Sequence, residues 1–158
     1  MEEIEITFAS AYDANEILSL QKLAYRSEAK IYDDWTLPPL HQTMEEITRE
    51  FTTHVFLKAV CHGRIVGSVR FRKTGTTCCI GRLIVDPEFQ NHGLGTRLML
   101  EIENAHRDAD RFELFTGAKS LRNQRLYQRL GYQEFKRESQ SSQVELVYME
   151  KQFPNNHL

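Results

Sequence analysis

Apolar residues along the chain follow two spacings, and their order predicts an alternation of strands and helices. Spacing of two, or short β-rich runs, predicts strands over 4–8, 55–61, 65–72, 76–85, 112–116, 133–137 and 144–150. Spacing of three and four predicts helices over about 14–25, 44–51, 94–107 and 121–130. The order β-α-α-β-β-β-α-β-α-β-β is typical of an α/β protein with one mixed sheet and helices on its faces.

Capping residues mark the ends of the predicted helices. Asp13 precedes a helix start that resembles a capping box, and Thr43 and Glu46 form a second capping box. Ser120 is predicted to cap the last helix, and Gly131 stands where a left-handed helix terminator is expected.

Residues 27–41 follow neither spacing, and the sequence predicts an irregular loop there. Pro38 and Pro39 exclude a continuous helix through this segment. Its aromatic and acidic side chains could receive a cationic amine, or they could pack the loop on its own apolar residues. These side chains are Tyr32, Asp33, Asp34 and Trp35.

Composition indicates a single globular domain, expected over 1–153 with a flexible tail over 154–158. The chain has 158 residues, of which 41% are hydrophobic and 27% charged. A net charge of -2 gives no global attraction to nucleic acid or to an anionic membrane, so neither is expected as a partner. Without a long apolar run or a basic leader, the sequence predicts a cytoplasmic location.

The three cysteines, Cys61, Cys78 and Cys79, lack the spacing of a zinc or redox motif. We expect reduced strand residues and no bound metal.

The stretch from Gly81 to Arg97 passes from an apolar strand through two glycines into a helix. The first N–H groups of such a helix lack intrahelical partners, so the loop favours an anion. Gly93 and Gly95 lack the Cβ atoms that would keep a phosphate at a distance. The spacing fits neither a P-loop nor a dinucleotide fingerprint, since Leu98 stands where the latter needs a third small residue.

Two motifs connect the chain to a known family. The first is Gln90-x-x-Gly93-x-Gly95, directly after Asp86-Pro87-Glu88-Phe89. The second is Ser120-x-x-Asn123-x-x-x-Tyr127-x-x-x-Gly131-Tyr132, about 30 residues downstream. With both motifs the chain resembles the GCN5-related N-acetyltransferase (GNAT) family over nearly its whole length. The resemblance implies a GNAT-like acyl-CoA N-acyltransferase fold and a site for acetyl-CoA.

In this family the pyrophosphate rests on the glycine loop, and the pantetheine arm pairs with the strand before it. A splayed pair of parallel strands, 76–85 and 111–116, would leave that strand edge free. The residues thereby implied to contact acetyl-CoA are Leu83, Ile84, Val85, Gln90, Asn91, His92, Gly93, Leu94, Gly95, Thr96, Ser120 and Asn123.

The resemblance implies direct acetyl transfer from the thioester to a primary amine of a small molecule or peptide. Tyr127, by its motif position, is the candidate general acid, with a core aromatic residue as the alternative. A backbone N–H near Leu83 or Ile84 is the candidate oxyanion donor. Asn123 is expected near the cofactor, with a helix cap or surface amide as the alternative.

The general base is less well defined. Many family members carry a carboxylate on the strand before the glycines, where this chain has Thr77, Cys79 and Gly81. Glu113 on the adjacent strand is one candidate, although a salt bridge to an arginine would also explain it. A base acting through water is another. The remaining candidates are Asp33, Asp34, Glu45 and Glu46.

The sequence therefore predicts an acetyl-CoA-dependent N-acetyltransferase, with the acceptor unidentified. The alternative is a non-catalytic CoA-binding or regulatory module of the same fold, which the missing strand carboxylate favours and Tyr127 disfavours. A nucleic-acid binder is poorly supported by the net charge of -2. Whether the protein is a monomer or a homodimer is left open.

Overall fold

The computed structural model describes residues 3–152, which form a seven-stranded sheet with helices on both faces. The strands are β1 (Glu5–Phe8), β2 (Val55–Cys61), β3 (Arg64–Thr74), β4 (Thr77–Val85), β5 (Arg111–Gly117), β6 (Gln133–Ser139) and β7 (Glu145–Gln152). The helices are α1 (Ala14–Ala24), α2 (Arg26–Tyr32), α3 (Pro38–His41), α4 (Met44–Glu50), α5 (Leu94–Ala105) and α6 (Leu121–Arg129). The predicted tail over 154–158 lies outside the described residues.

The strand order is β1-β2-β3-β4-β5-β7-β6. Strands β1 to β4 pair antiparallel, β4 and β5 pair parallel, and β7 pairs antiparallel with both β5 and β6. The mixed sheet is confirmed, as are the three adjacent antiparallel strands and the parallel crossover from β4 through α5 to β5.

Strands β4 and β5 separate soon after they begin. Although β4 has nine residues, its described pairing with β5 covers only 77–79. Its register with β3 also shifts between Ser68 and Arg70, and Arg82 adopts a left-handed φ of 52°. Such a shift inserts an extra residue and bends the strand away from its neighbour. The second half of β4 therefore borders a gap in the sheet.

Each face of β4 is held by its own hydrophobic cluster. Leu98 and Ile102 of α5 are fully buried against one face of the sheet. Ile17 of α1 and Ile47 of α4 pack on the other face, together with Ile84 of β4. Burial on both sides fixes the strand in place while its edge stays exposed to the gap.

A buried carboxylate also fixes α5 relative to the end of α6. Glu103 is 4% exposed and accepts a hydrogen bond from Tyr132 Oη at 2.8 Å and from Lys151 Nζ at 2.7 Å. Gly131, just before Tyr132, has the predicted left-handed conformation with φ of 101°. The chain therefore turns sharply after α6, and the side chains of Tyr132 and Lys151 bind Glu103 of α5.

The prediction of an irregular loop over 27–41 is wrong. Helix α2 covers most of its first half, because Tyr25, Ala29 and Tyr32 share one inward face at helical spacing. The two prolines begin the short helix α3, at positions where a helix needs no N–H donor. Because α2 ends at Tyr32 and α3 begins at Pro38, no continuous helix runs through this segment, as the prolines predict.

The start of the first helix also differs from its prediction. The capping box belongs to Ser10, whose Oγ accepts from Tyr12 N at 3.3 Å and whose own N–H donates to Asp13 Oδ2 at 3.0 Å. Asp13 thus closes a 3-10 turn that leads into α1. Glu16 instead accepts a hydrogen bond from Ile65 N at 2.7 Å, which ties α1 to β3. The second capping box, Thr43 with Glu46, is confirmed.

Candidate functional site

The loop between β4 and α5 contains two residues with left-handed backbone, Asn91 at φ 67° and Gly93 at φ 80°. Gly93 is the N-cap of α5, and a Cβ built on it would meet no protein atom within 4 Å. Glycine is therefore required here by backbone conformation rather than by crowding. The first turn of α5 lines an open groove, and the leading N–H groups of a helix lack intrahelical partners, so residues 90–96 suit an anion and are termed the cradle loop.

Gly95 has a different role from the predicted one. A Cβ on Gly95 would lie 3.1 Å from Leu126 Cδ1 and 3.7 Å from Leu83 Cδ2. The missing side chain makes room for Leu126 of α6 beside α5. Glycine at this position therefore serves helix packing, whereas the open space lies at Gly93.

The cradle loop is fastened to both the strand before it and α6. Gln90 Nε2 donates to the carbonyl of Val85 at 3.2 Å. Arg122 donates to Gln90 Oε1 at 2.6 Å and to Asn91 Oδ1 at 3.1 Å. Arg122 thus positions the loop from α6. A sequence reading that stops at the glycines does not reveal this contact.

A groove runs from this cradle along the edge of β4. Every residue predicted to contact acetyl-CoA lines it, with the exception of His92, which is exposed. The groove is also basic, because α6 presents Arg122, Arg125 and Arg129 to it. A ligand with several negative charges would suit this lining.

A second cavity opens in the gap between β4 and β5. It is walled by α2, α3, β4, β5, α6 and the chain before β7, and its lining is largely aromatic and apolar. The charged side chains that line it are Glu28, Arg70 and Arg82. Gly81, one of the three positions where a family carboxylate was expected, lines the cavity beside Arg82.

The groove and the cavity meet, because five residues line both. They are Tyr25, Glu28, Leu83, Ser120 and Asn123. Glu28 accepts hydrogen bonds from Ser120 Oγ and from Asn123 Nδ2, the latter at 3.3 Å. The prediction that the Ser120 side chain caps α6 is therefore wrong. Instead, this side chain orients the carboxylate of α2 at the junction.

Tyr127 lines the cavity between the strands and is 7% exposed. Its ring also packs edge-on against Tyr132, with centroids 6.0 Å apart. Burial, followed by the nearby Tyr25 and Glu28, raises the pKa of the Tyr127 hydroxyl above its ordinary value. The phenol remains protonated at neutral pH and can act only as a proton donor there.

Tyr32 closes the cavity on the side of β5. Its hydroxyl accepts a hydrogen bond from Lys119 N at 2.8 Å. The Tyr32 hydroxyl lies so close to Gly117 that a Cβ there would clash with Tyr32 Oη. Tyr32, predicted as a residue of an irregular loop, is therefore a buried wall of the cavity.

The structure does not bring the predicted carboxylates to the cavity. Glu113 accepts from Arg111 Nη2 at 2.7 Å and lines neither cavity nor groove, so the arginine partner accounts for this charge. Asp34 accepts from Thr36, Glu45 pairs with Arg49, and Glu46 caps α4. Asp33 is exposed at the end of α2.

Glu28 and Arg82 are the site residues that sequence reasoning missed. The predicted loop over 27–41 conceals Glu28, although the spacing of Tyr25, Ala29 and Tyr32 is that of a helix that carries Glu28 inward. Arg82 turns into the cavity through a strand irregularity that the local sequence does not indicate.

Residues 14–132 match the model of the acetyltransferase (GNAT) family. The chain belongs to this family. A curated relative, the UPF0157 protein YqkA of Bacillus subtilis, is 26% identical over 120 residues, which are 76% of this chain. The chain spans about a third, 34%, of the length of that relative.

Solved structures show the same fold. A GNAT-family acetyltransferase from Streptococcus pneumoniae has a TM-score of 0.75 and 19% identity, over 96% of this chain and 100% of that one. PaiA N-acetyltransferase from Thermoplasma acidophilum, in complex with coenzyme A, has a TM-score of 0.71 and 19% identity, over 96% of this chain and 99% of that one. YncA from Salmonella typhimurium, a putative acetyltransferase with its cofactor acetyl-CoA, has a TM-score of 0.76 and 15% identity, over 99% of this chain and 97% of that one.

The cysteines of this GNAT protein are strand residues without disulfides. Burial raises the pKa of Cys78 to about 12, so its thiol is not a nucleophile at neutral pH. Within residues 3–152, no cluster of His, Cys, Asp and Glu is arranged to hold a metal ion. The same part of the chain has no helix that could cross a membrane.

The close approach of Tyr32 to Gly117 predicts a strong effect of Gly117→Ala. The added methyl group would displace Tyr32 and lower the free energy of unfolding by about 1–3 kcal/mol in urea titrations. Gly81→Ala is the matched control in the same cavity, because its Cβ would lie 3.7 Å from Arg70 Nε, an ordinary contact. Equal destabilisation by both substitutions would contradict the position of Tyr32.

Proposed function

We propose that the protein is an acetyl-CoA-dependent N-acetyltransferase that transfers the acetyl group directly to a primary amine. The observation that carries this proposal is the junction of groove and cavity at Leu83 and Glu28. A donor lying along the groove and an acceptor in the cavity would meet there. The coenzyme A complex of PaiA and the acetyl-CoA complex of YncA support this choice of donor.

The residues present fit acetyl-CoA. Strand β4 offers backbone groups beside Leu83–Val85 at its splayed edge, which suits an extended chain containing amides. The open space at Gly93 suits a diphosphate at the start of α5. Arg122, Arg125 and Arg129 supply positive charge along the groove. When bound, acetyl-CoA would supply an activated acetyl thioester.

Two groups at the junction and one in the cavity would provide the remaining chemistry. A primary amine is protonated at neutral pH, so it must lose a proton before it attacks, and Glu28 is the carboxylate placed to accept one. Ser120 and Asn123 orient that carboxylate through their hydrogen bonds. The N–H of Leu83, beside the bulge in β4, is the candidate donor to the reacting carbonyl oxygen. Tyr127 is the candidate donor to the departing sulfur.

A non-catalytic CoA-binding module is the second candidate. One observation favours it: the cavity face of β4 presents Gly81 and Arg82 instead of a carboxylate. Glu28 and Tyr127 weigh against it, since a module without chemistry needs neither a carboxylate at the junction nor a phenol in the cavity. Measurement of turnover separates the two candidates.

Gly93→Val is expected to abolish acetyl-CoA binding, because a branched side chain would fill the cradle. Gly63→Val is the matched control, since Gly63 has φ of 76°, equally open surroundings and a place in the β2–β3 turn. Both variants should lose about 1–3 kcal/mol from backbone strain. Acetyl-CoA at about 100 times its dissociation constant should restore about 2.7 kcal/mol in Gly63→Val and nothing in Gly93→Val, measured by thermal unfolding. Equal stabilisation of both would place the cofactor elsewhere.

Tyr127→Phe should lower kcat by about 100-fold or more across a panel of primary amines while leaving acetyl-CoA affinity unchanged. Turnover is measured by the appearance of the free CoA thiol. Tyr132→Phe is the control, because it removes a neighbouring buried hydroxyl that lies outside groove and cavity. It should reduce stability but keep kcat. Acetyl-CoA binding by the parent protein without turnover of any amine would support the module instead.

A further inference from the structure

Arg82 is a largely buried cation in the wall of the cavity. Within residues 3–152, its guanidinium group has neither an ion pair nor a hydrogen bond, and its Nη1 atom is sealed from solvent. Its Cζ lies 5.9 Å from the centre of the Tyr25 ring. Since the removal of a charged group from water is unfavourable, a largely buried arginine of this kind calls for an anion.

The charges around Arg82 do not neutralise it. Arg70 forms an ion pair with Glu50, and these side chains are 16% and 24% exposed. Burial, together with repulsion from Arg70, lowers the pKa of Arg82, although Tyr25 and Glu50 oppose the shift. Two arginines thus share a single carboxylate, and this end of the cavity carries an excess positive charge.

The opposite charge lies at the junction with the groove, where Glu28 also lines the cavity. Tyr25 connects the two regions, since its ring faces Arg82 and the charge of Glu28 acts on its hydroxyl. The other lining residues of the cavity are uncharged. The cavity therefore has a negative pole where the amine would react and a positive pole on β4.

We propose that the acceptor is a small amine that also carries a carboxylate, such as a free amino acid. Its amino group would lie toward Glu28 and its carboxylate on Arg82, with a charge-assisted hydrogen bond as the main contact. This assignment rests on the proposed acetyltransferase function. A carboxylate could also arrive on the acyl chain of the donor, and the experiment separates these sources.

The test compares amino acids with their carboxamides. Turnover with acetyl-CoA is measured for α-, β- and γ-amino acids, each against its own amide, in the parent protein, Arg82→Met and Arg49→Met. The amide lacks only the negative charge, and its amine is the less basic of the two, so intrinsic reactivity favours the amide at neutral pH. A preference for the acid must then come from the protein. Arg49 pairs with Glu45 on the surface, outside groove and cavity.

The parent protein and Arg49→Met should prefer at least one acid over its amide by about 10- to 100-fold in kcat/KM. Arg82→Met should lose that preference, retain turnover of the amide and unfold at an unchanged or higher temperature, because the lost charge makes no direct ion pair within residues 3–152 and is costly to bury. Equal use of acid and amide, or a preference that survives Arg82→Met, would overturn the proposal.

Two further arms separate this proposal from the proposed function. A preference for succinyl-CoA over acetyl-CoA that disappears in Arg82→Met would assign Arg82 to the donor and overturn the acceptor assignment. Acetylation of neither acids nor amides would also overturn it, while stabilisation by acetyl-CoA would leave the cofactor assignment intact. If acetyl-CoA does not stabilise the parent protein, the proposed function itself is contradicted.

Discussion

The separation of β4 from β5 is the constraint on which the candidate site depends. Two parallel strands that remained paired to their ends would leave neither an open strand edge nor a cavity between them. Here the described pairing covers 77–79, and the irregularity around Arg82 bends the rest of β4 aside. The gap is kept open by packing, because the cluster with α5 and the cluster with α1 and α4 hold β4 from opposite faces.

Side chains from segments distant in the sequence line the gap between β4 and β5. Glu28 arrives from α2, and Ser120 and Asn123 arrive from the start of α6. Arg122, on the same helix, holds the cradle loop at Gln90 and Asn91. Helix α6 therefore aligns both the cradle and the junction. The division of charge in the cavity, with Glu28 at one pole and Arg82 at the other, follows from the same arrangement.

Local signals were sufficient for the strands, the cradle and the helix boundaries marked by Thr43 and Gly131. Gly93 could be predicted because a left-handed residue before a helix is a local requirement. Contacts between distant segments could not be predicted, since nothing near Ser120 indicates that it binds Glu28 rather than capping its helix. The predicted loop over 27–41 omits α2, and with α2 the carboxylate of the junction.

The central claim is that the edge of β4 and the first turn of α5 together form the acetyl-CoA site. Amide hydrogen exchange with and without acetyl-CoA tests it most directly. N–H groups that have no partner in the sheet, and those of the first helical turn, exchange readily in the free protein. The account predicts new protection at 82–85 and 93–96, with none in the β2–β3 turn at Gly63. Protection confined to other segments, or none at the edge of β4, would contradict it.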